Sequence, residues 1–312
     1  MRPVVVLSDL HFGQDQHNMV RGAEAFNMFF ERMDALREAE GDPRFVMAGD
    51  IFDLWRAYAK DAIPLARPLF KGLADRVKNG SDITYIPGNH DHYVKMKIFG
   101  SVLNGRTNIS SVEPGDSDTI RPLKALGVDF EVVYPDLELK VGRKRVTITH
   151  GHFLTEEIYI YDPLIRFYLF FLKALNLLGP SREILERRKT WLYERIFDRL
   201  VRTFSGSKEV RPFRKAPKPV LQKASDDSAR KKMRNSWEIM NMRNRDWGMK
   251  CDVYLAGHTH TPGVHDPDAR YPTPYVNSGM MRSNMATYCV IFKDRIETRN
   301  VTGERVCPDL LL

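Results

Sequence analysis

Five short runs of β-favouring residues recur along the chain, and each leads directly into residues that can bind a metal ion. The runs begin at Val4, Phe45, Ile83, Val146 and Val253, and they lead into Ser8-Asp9-Leu10-His11, Gly49-Asp50, Pro87-Gly88-Asn89-His90-Asp91, His150-Gly151-His152 and Gly257-His258-Thr259-His260. Runs of four or five such residues bounded by glycine or proline are typical of buried strands. The chain is therefore predicted to fold around an α/β sheet of short strands.

The spacing between the runs predicts how the strands are connected. A helix is expected over 20–37 and a second over 61–77, because their apolar residues recur at the spacing of one buried face. A further strand is expected over 129–133, and late strands that include 286–292 are expected to close a second sheet. In open α/β sheets, functional groups lie just beyond the carboxyl ends of the strands. The polar residues after the five runs should therefore converge on one rim of the sheet.

The motifs Asp-x-His, Gly-Asp, Gly-Asn-His-Asp, a lone histidine and Gly-His-x-His occur here in the order found in the calcineurin-like metallophosphoesterases. The chain resembles that family over residues 1–154 and 249–290. The resemblance implies a four-layer α/β/β/α sandwich of two mixed sheets with a helical insertion. The predicted domains are 1–154 as the first part of the core, 155–248 as a cap or lid, and 249–312 as the second part.

Two longer phrases suggest one branch of this family. Ser8-Asp9-Leu10-His11-Phe12-Gly13 and Gly49-Asp50-Ile51-Phe52-Asp53-Leu54-Trp55 look most like the branch that contains UDP-2,3-diacylglucosamine diphosphatase, which cleaves a pyrophosphate in lipid A synthesis. That enzyme usually has arginine where this chain has His90. The phrases therefore suggest the branch and leave the substrate open.

The resemblance also implies a site for two divalent metal ions. One ion would be held by Asp9, His11, Asp50 and His260, and the other by Asp50, Asn89, His150 and His258. Such a pair would lie about 3.5 to 4 Å apart and activate a bridging hydroxide as the nucleophile. Imidazole mixed with oxygen donors suits manganese, iron or zinc better than calcium, and manganese is the ion predicted from the resemblance.

His90 and Asp91 complete the predicted site. In family members with this motif the histidine stabilises the transition state or protonates the leaving oxygen, which an unperturbed pKa of about 6.5 permits. Asp91 is expected to orient His90 or a metal ligand. Asp53 and Trp55 are interpreted as packing or supporting residues. The predicted reaction is hydrolysis of a phosphodiester or pyrophosphate bond in a lipid-linked or nucleotide-linked substrate.

The basic excess of the chain lies in the predicted insertion. Residues 156–250 contain 22 lysines and arginines against 12 acidic residues, while the rest of the chain has 26 against 28. The most apolar stretch, 159–178, is interrupted by charged residues, and spanning a bilayer needs roughly 20 consecutive apolar residues. Three interpretations stay open: a helical cap with a solvated basic face, an amphipathic lid that meets a membrane surface or lipid tail, and a surface for nucleic acid.

Competing functions follow from the same features. A nuclease would share Gly-Asn-His-Asp and could use the basic insertion, whereas the apolar stretch suits acyl chains better than a duplex. A non-enzymatic binding scaffold would be favoured by missing ligands, and none is missing.

The pattern of a strand from Val4 onward leaves no room for a cleavable signal peptide, and the three cysteines show no disulfide spacing. A cytoplasmic location is expected, with peripheral contact to the inner face of the membrane as an alternative.

Overall fold

The computed structural model describes most of the chain outside the predicted insertion. The described residues are 1–13, 23–54, 57–78, 82–100, 105–115, 117–152, 233, 234, 236–238, 240, 241, 251–269, 272–281 and 286–312. Trp55 and most of the segment 155–248 lie outside them. The described chain forms two mixed β-sheets with few helices, and this confirms the predicted α/β class.

Thirteen strands and five α-helices are described. The strands are β1 Val4–Leu7, β2 Arg44–Ala48, β3 Ile83–Ile86, β4 Gly105–Asn108, β5 Glu131–Tyr134, β6 Asp136–Val141, β7 Lys144–Thr149, β8 Val253–Ala256, β9 Pro262–His265, β10 Tyr275–Ser278, β11 Thr287–Ile291, β12 Arg295–Asn300 and β13 Leu310–Leu311. The helices are α1 Ala23–Glu40, α2 Ala59–Leu65, α3 Arg67–Ala74, α4 His92–Phe99 and α5 Ile120–Lys124.

The first sheet contains the predicted βαβ unit. Its eight strands lie in the order β13-β12-β11-β1-β2-β3-β5-β4, and β1, β2, β3 and β5 run parallel. The helix predicted over 61–77 is two helices, α2 and α3. Pro68 explains the break, because it has no N–H to donate to the carbonyl of Pro64 one turn earlier and its ring would collide with that carbonyl.

The second sheet has five strands in the order β6-β7-β8-β10-β9. Alternate residues of both sheets form one apolar core between them, in which Val4 and Val6 pack with Ile148 and Leu255. The opposite face of the first sheet packs against helices, as the contact between Phe29 of α1 and Tyr288 shows.

The expectation that 286–292 would close the second sheet is wrong. Strand β11 lies in the first sheet, antiparallel to β1, with Val290 opposite Val5. Both faces of β11 are buried, since Tyr288 and Val290 pack beneath the helices while Cys289 and Ile291 enter the core between the sheets. A strand that is apolar on both faces fits the interior of either sheet, so its pattern does not specify its partner.

The outer face of the second sheet is covered by helical residues from the end of the predicted insertion. Met233, Trp237 and Met240 pack against Tyr254 and Tyr275, and the indole N–H of Trp237 donates to the carbonyl of Thr273 at 2.9 Å. These contacts supply the fourth layer of the sandwich. Among the described helices, none combines the length and apolar character that crossing a bilayer requires.

Candidate metal centre

The loops that carry the predicted ligands meet at one rim of the sandwich, and they come from both sheets. Strands β1, β2 and β3 of the first sheet and β7 and β8 of the second all end there. Backbone hydrogen bonds join the loops: Asp9 N–H donates to the carbonyl of Gly49 at 3.0 Å, and His11 N–H donates to that of Asp50 at 2.9 Å. The predicted convergence therefore occurs, across two sheets instead of one.

Five of the seven predicted ligands have a left-handed backbone conformation. The φ angles are 56° at Asp9, 52° at His11, 53° at Asp50, 66° at His258 and 60° at His260, and no other non-glycine residue in the described ranges has a positive φ. This conformation costs roughly 1 to 2 kcal/mol per residue, and residues in it cluster at functional sites. The fold thus maintains strain at these positions.

Two glycines of the motifs are required by close packing. A Cβ atom at Gly49 would collide with the ring of His150, and one at Gly88 would collide with the carboxylate of Asp50. Gly49 also has φ +84°, which a larger residue rarely adopts. The Gly-Asp and Gly-Asn pairs therefore allow side chains from different strands to approach one another.

Asp9, His11 and His260 form a first group whose ligand atoms lie within 4.8 Å of one another. Oδ2 of Asp9 accepts the backbone N–H of His258 at 2.9 Å. The buried Oδ1 lies 3.0 Å from Nε2 of His260. Nε2 of His260 lies 3.3 Å from Nε2 of His11. Two nitrogens bonded to one ion at 2.0 to 2.1 Å would be about 3.0 to 3.4 Å apart, so this group fits a metal ion.

Asp50, His150 and His258 form a second group of the same kind. Nδ1 of His150 lies 3.0 Å from the carbonyl oxygen of Ala48, which can only accept, so Nδ1 carries the proton and Nε2 faces the site. That Nε2 lies 3.1 Å from Oδ1 of Asn89, 3.2 Å from Nδ1 of His258 and 3.3 Å from Oδ2 of Asp50. Four atoms of ligand type therefore converge here.

Asp50 lies between the two groups. Its Oδ1 accepts the backbone N–H of His90 at 2.8 Å, while Oδ2 lies 3.3 Å from Nε2 of His150 and 3.8 Å from Nε2 of His11. A side chain in contact with histidines of both groups has the position required of a bridging ligand. The assignment of the seven residues as ligands itself stays a prediction.

The electrostatics of the pocket favour the carboxylate form of Asp50 and the uncharged form of two of the histidines. Burial opposes ionisation of Asp50, but His150 and His90 outweigh it and hold the pKa of the carboxyl well below its ordinary value. Burial and a neighbouring histidine lower the pKa of His11 and of His258 to about 3. Burial also disfavours a charged His150, yet Asp50 and Asp9 raise its pKa to about 9. His150 would therefore have to lose a proton before it could bind an ion.

His90 is held by a residue interpreted from the sequence as packing or support. Its Nδ1 lies 3.1 Å from Oδ1 of the fully buried Asp53, and its ring meets that of His11 edge to face at 4.7 Å. If Asp53 accepts the Nδ1 proton, Nε2 is the nitrogen that can exchange a proton with a ligand. The Gly-Asp-x-x-Asp spacing is the sequence signal that points to Asp53.

Asp91 supports the backbone of the site. One carboxylate oxygen accepts the N–H of Gly88, and the other accepts those of Ile51 at 2.8 Å and Phe52 at 3.3 Å. Burial and the charge of Asp50 raise its pKa to about 6. Asp91 thereby links the loop after β2 to the loop after β3, which carry Asp50 and Asn89. The carboxylate that lies beside the His90 ring is that of Asp53.

Other histidines differ in their positions. His152 is buried with its ring 5.5 Å from that of His150 and 6.5 Å from that of His258, so it adjoins the second group. His265 stacks on Trp237 at 4.9 Å, away from the site. Asn277 donates to the carbonyl of Gly257 at 2.7 Å and thus holds the turn before His258. His17 lies outside the described residues.

Comparisons with known proteins were made once this geometry was established. A family model described as calcineurin-like phosphoesterase matches residues 2–262. An uncharacterised protein of Streptococcus pneumoniae that is described as a predicted phosphoesterase, known from its crystal structure, is 12% identical with a TM-score of 0.34, and the match covers 100% of this chain and 98% of that one. An archaeal phosphodiesterase is 10% identical with a TM-score of 0.35 and 99% of both chains covered. The phosphoesterase YfkN of Bacillus subtilis is 10% identical with a TM-score of 0.32, covering 99% and 90%. No curated protein matches the chain.

Proposed function

The chain belongs to the calcineurin-like phosphoesterase family, whose members are hydrolases acting on phosphate esters, and we propose that it cleaves a phosphodiester or pyrophosphate bond with two divalent metal ions. The observation that supports this most strongly is the pair of ligand-type groups at one rim of the sandwich, with the Asp50 carboxylate near a histidine of each group. In this proposal Asp9, His11, Asp50 and His260 would hold one ion, and Asp50, Asn89, His150 and His258 would hold the other.

The charge of these residues suits an anionic substrate. When bound, a pair of divalent ions supplies positive charge for the phosphoryl oxygens and makes water a stronger nucleophile. Asp9 and Asp50 contribute two negative charges, and the amide of Asn89 ligates without adding a third. The chain thus leaves its metal centre with a positive excess that attracts a phosphodiester or a pyrophosphate.

In this proposal His90 donates a proton to the leaving group. Asp53 holds the Nδ1 proton and fixes the ring, which leaves Nε2 to give a proton to the leaving oxygen. His90 also keeps about a sixth of its side chain exposed, 17%, whereas the ligand His11 is 3% exposed. A substrate can therefore reach His90 from the open side of the site.

The substrate proposal rests on the insertion and on the two branch-specific phrases. We infer a lipid-linked or nucleotide-linked substrate, in the manner of UDP-2,3-diacylglucosamine diphosphatase, with 155–248 as the unit that selects it. Residues 156–250, which include almost all of the insertion, have a local net charge of +10 together with the most apolar stretch of the chain. The same charge favours the alternative of a nuclease, so the two proposals need an experiment that separates them.

Metal dependence is the direct test of the proposed chemistry. Protein stripped by a chelator is expected to lose activity on bis(4-nitrophenyl) phosphate and to recover it with manganese. Without the ions, the seven predicted ligands cannot make water a strong enough nucleophile. Elemental analysis of the reconstituted protein should give two ions per chain. Full activity after exhaustive chelation would contradict the proposal.

Vesicle binding separates the lipid from the nucleic-acid proposal. Attraction to an anionic bilayer is expected to be roughly 1 kcal/mol per basic residue near the surface. Insertion of Phe, Leu and Ile side chains of 165–178 into the bilayer should make the binding partly resistant to salt. Changing Phe167, Phe170 and Phe171 to Ser should remove the salt-resistant part in co-sedimentation with anionic vesicles. Leu65→Ser, at an exposed leucine of α2, is the matched control and should bind like wild type.

The opposite result would favour the nuclease. Binding to single-stranded or duplex nucleic acid with a steep salt dependence, and no binding to vesicles, would exclude the lipid proposal. Neutral vesicles tested across the same salt series show how much of the binding depends on charge.

A further inference from the structure

A second concave site lies at the opposite end of the sandwich from the candidate metal centre. It is a cleft of about 450 Å³ between the first residues of β1 and β2 and the strand β6. Its charged lining residues are Arg2, Arg44, Arg106, Glu138 and Lys140. Since β1 and β2 carry their predicted ligands at their carboxyl ends, a cleft at their amino ends is separated from that site by the length of the strands.

The floor of the cleft is aliphatic. Val4, Leu137 and Leu139 belong to the apolar core between the two sheets, and the cleft opens onto them. Among the described residues that line it, none has an aromatic side chain that could stack on a nucleobase. A volume within the 300 to 1,000 Å³ of typical small-molecule sites, with an aliphatic floor, fits an alkyl chain better than a nucleotide.

The rim of the cleft carries four cationic side chains and one carboxylate, that of Glu138, and two of the cations have carboxylate partners elsewhere. Arg2 is held by Asp82 through two bonds of 2.9 Å, and Arg106 pairs with Glu131 at 2.9 Å. Among the residues that the structure describes, Arg44 and Lys140 have no ion-pair partner. The rim therefore presents two cationic groups that an anion can neutralise.

The register of β2 shows why an anion would stabilise Arg44. Positions 44, 46 and 48 share one face of the strand, and Val46 and Ala48 are buried in the core between the sheets. Arg44 is half-buried at the entrance to the same space. A cation in that place is stabilised by a partner of opposite charge, because an apolar surrounding disfavours an unpaired charge.

We propose that this cleft binds an anionic amphiphile, with its acidic head on Arg44 and Lys140 and its alkyl chain over Leu137 and Leu139. A carboxylate and a phosphate share the chemistry required of the head. The site is distinct from the metal centre and adds a binding function that the hydrolysis of a phosphate ester does not need.

The test is calorimetric titration of the full chain in the presence of a chelator, which keeps the metal centre from binding phosphate. Octyl phosphate is expected to bind once per chain and at least about tenfold more tightly than inorganic phosphate, since burial of about two methylene groups suffices for that gain. Octanoate in a parallel titration identifies the preferred head. Uridine monophosphate, which has a base in place of the alkyl chain, should bind no better than phosphate.

Variants locate the binding. Arg44→Gln is expected to weaken octyl phosphate binding by about 10- to 100-fold, the effect of losing a charge-assisted hydrogen bond. Arg143→Gln, at an exposed arginine on the turn between β6 and β7, should leave it unchanged. If Arg44→Gln does not fold, Lys140→Gln at an exposed position gives the same test with a smaller loss.

Three results would overturn the proposal. They are the absence of octyl phosphate binding, equal affinity for octyl phosphate and inorganic phosphate, and loss of binding in Asp50→Asn with retention in Arg44→Gln. The last result would place the ligand at the metal centre. None of these outcomes depends on phosphoesterase activity, so the proposed function stands or fails separately.

Discussion

Asp50→Asn is expected to lower phosphodiesterase activity by at least about 100-fold, because this side chain contacts histidines of both ligand groups. Asparagine has nearly the same shape, and its amide oxygen can still accept the backbone N–H of His90. The other oxygen becomes an NH₂ group, which cannot bind a cation. Metal analysis should show fewer than two ions per chain, and turnover of bis(4-nitrophenyl) phosphate measures the loss.

Asp34→Asn is the matched control for this substitution. Asp34 lies on α1, is half exposed and pairs with Arg76, far in the fold from the rim that carries the ligands. The control should keep its activity and its two ions. Circular dichroism should show both variants folded. Wild-type activity in Asp50→Asn would exclude a bridging role and with it the shared centre.

The positions of the predicted ligands could be read from the sequence because each follows a short strand. Once β1, β2 and β3 are parallel neighbours, their carboxyl ends must lie together, and the motifs after them meet without further information. The sequence did not predict that two sheets share the rim. It also did not predict the left-handed conformation of Asp9 or His258, since local propensity disfavours it and only the surrounding hydrogen bonds maintain it.

Contacts between side chains from different loops were harder to predict. The partner of His90 is Asp53, 37 positions earlier, while the adjacent Asp91 accepts hydrogen bonds from the backbone. Proximity in sequence favoured Asp91, but the chain turns after β3 so that its carboxylate meets the loop after β2. The prediction of the sheet that contains β11 was wrong for a related reason, because the apolar pattern of β11 is compatible with either sheet.

His90→Ala is expected to lower turnover by about 10²- to 10⁴-fold while metal content stays at two ions per chain, the range of a positioned proton donor. The metal centre should survive because His90 contacts Asp50 through its backbone N–H, which alanine retains. The loss should be large for a substrate with an alkoxide leaving group and smaller for one that releases nitrophenolate. Steady-state rates on the two substrates measure the difference.

Asp53→Asn provides the companion measurement, because it changes the support of the imidazole and leaves the imidazole in place. The asparagine oxygen can still accept the Nδ1 proton, so a smaller loss is expected, with the same dependence on the leaving group. A proton donor must matter most where the leaving oxygen is most basic, since nitrophenolate departs without protonation. Equal losses for both substrates in His90→Ala would therefore mean that His90 stabilises charge on the phosphoryl group and donates no proton.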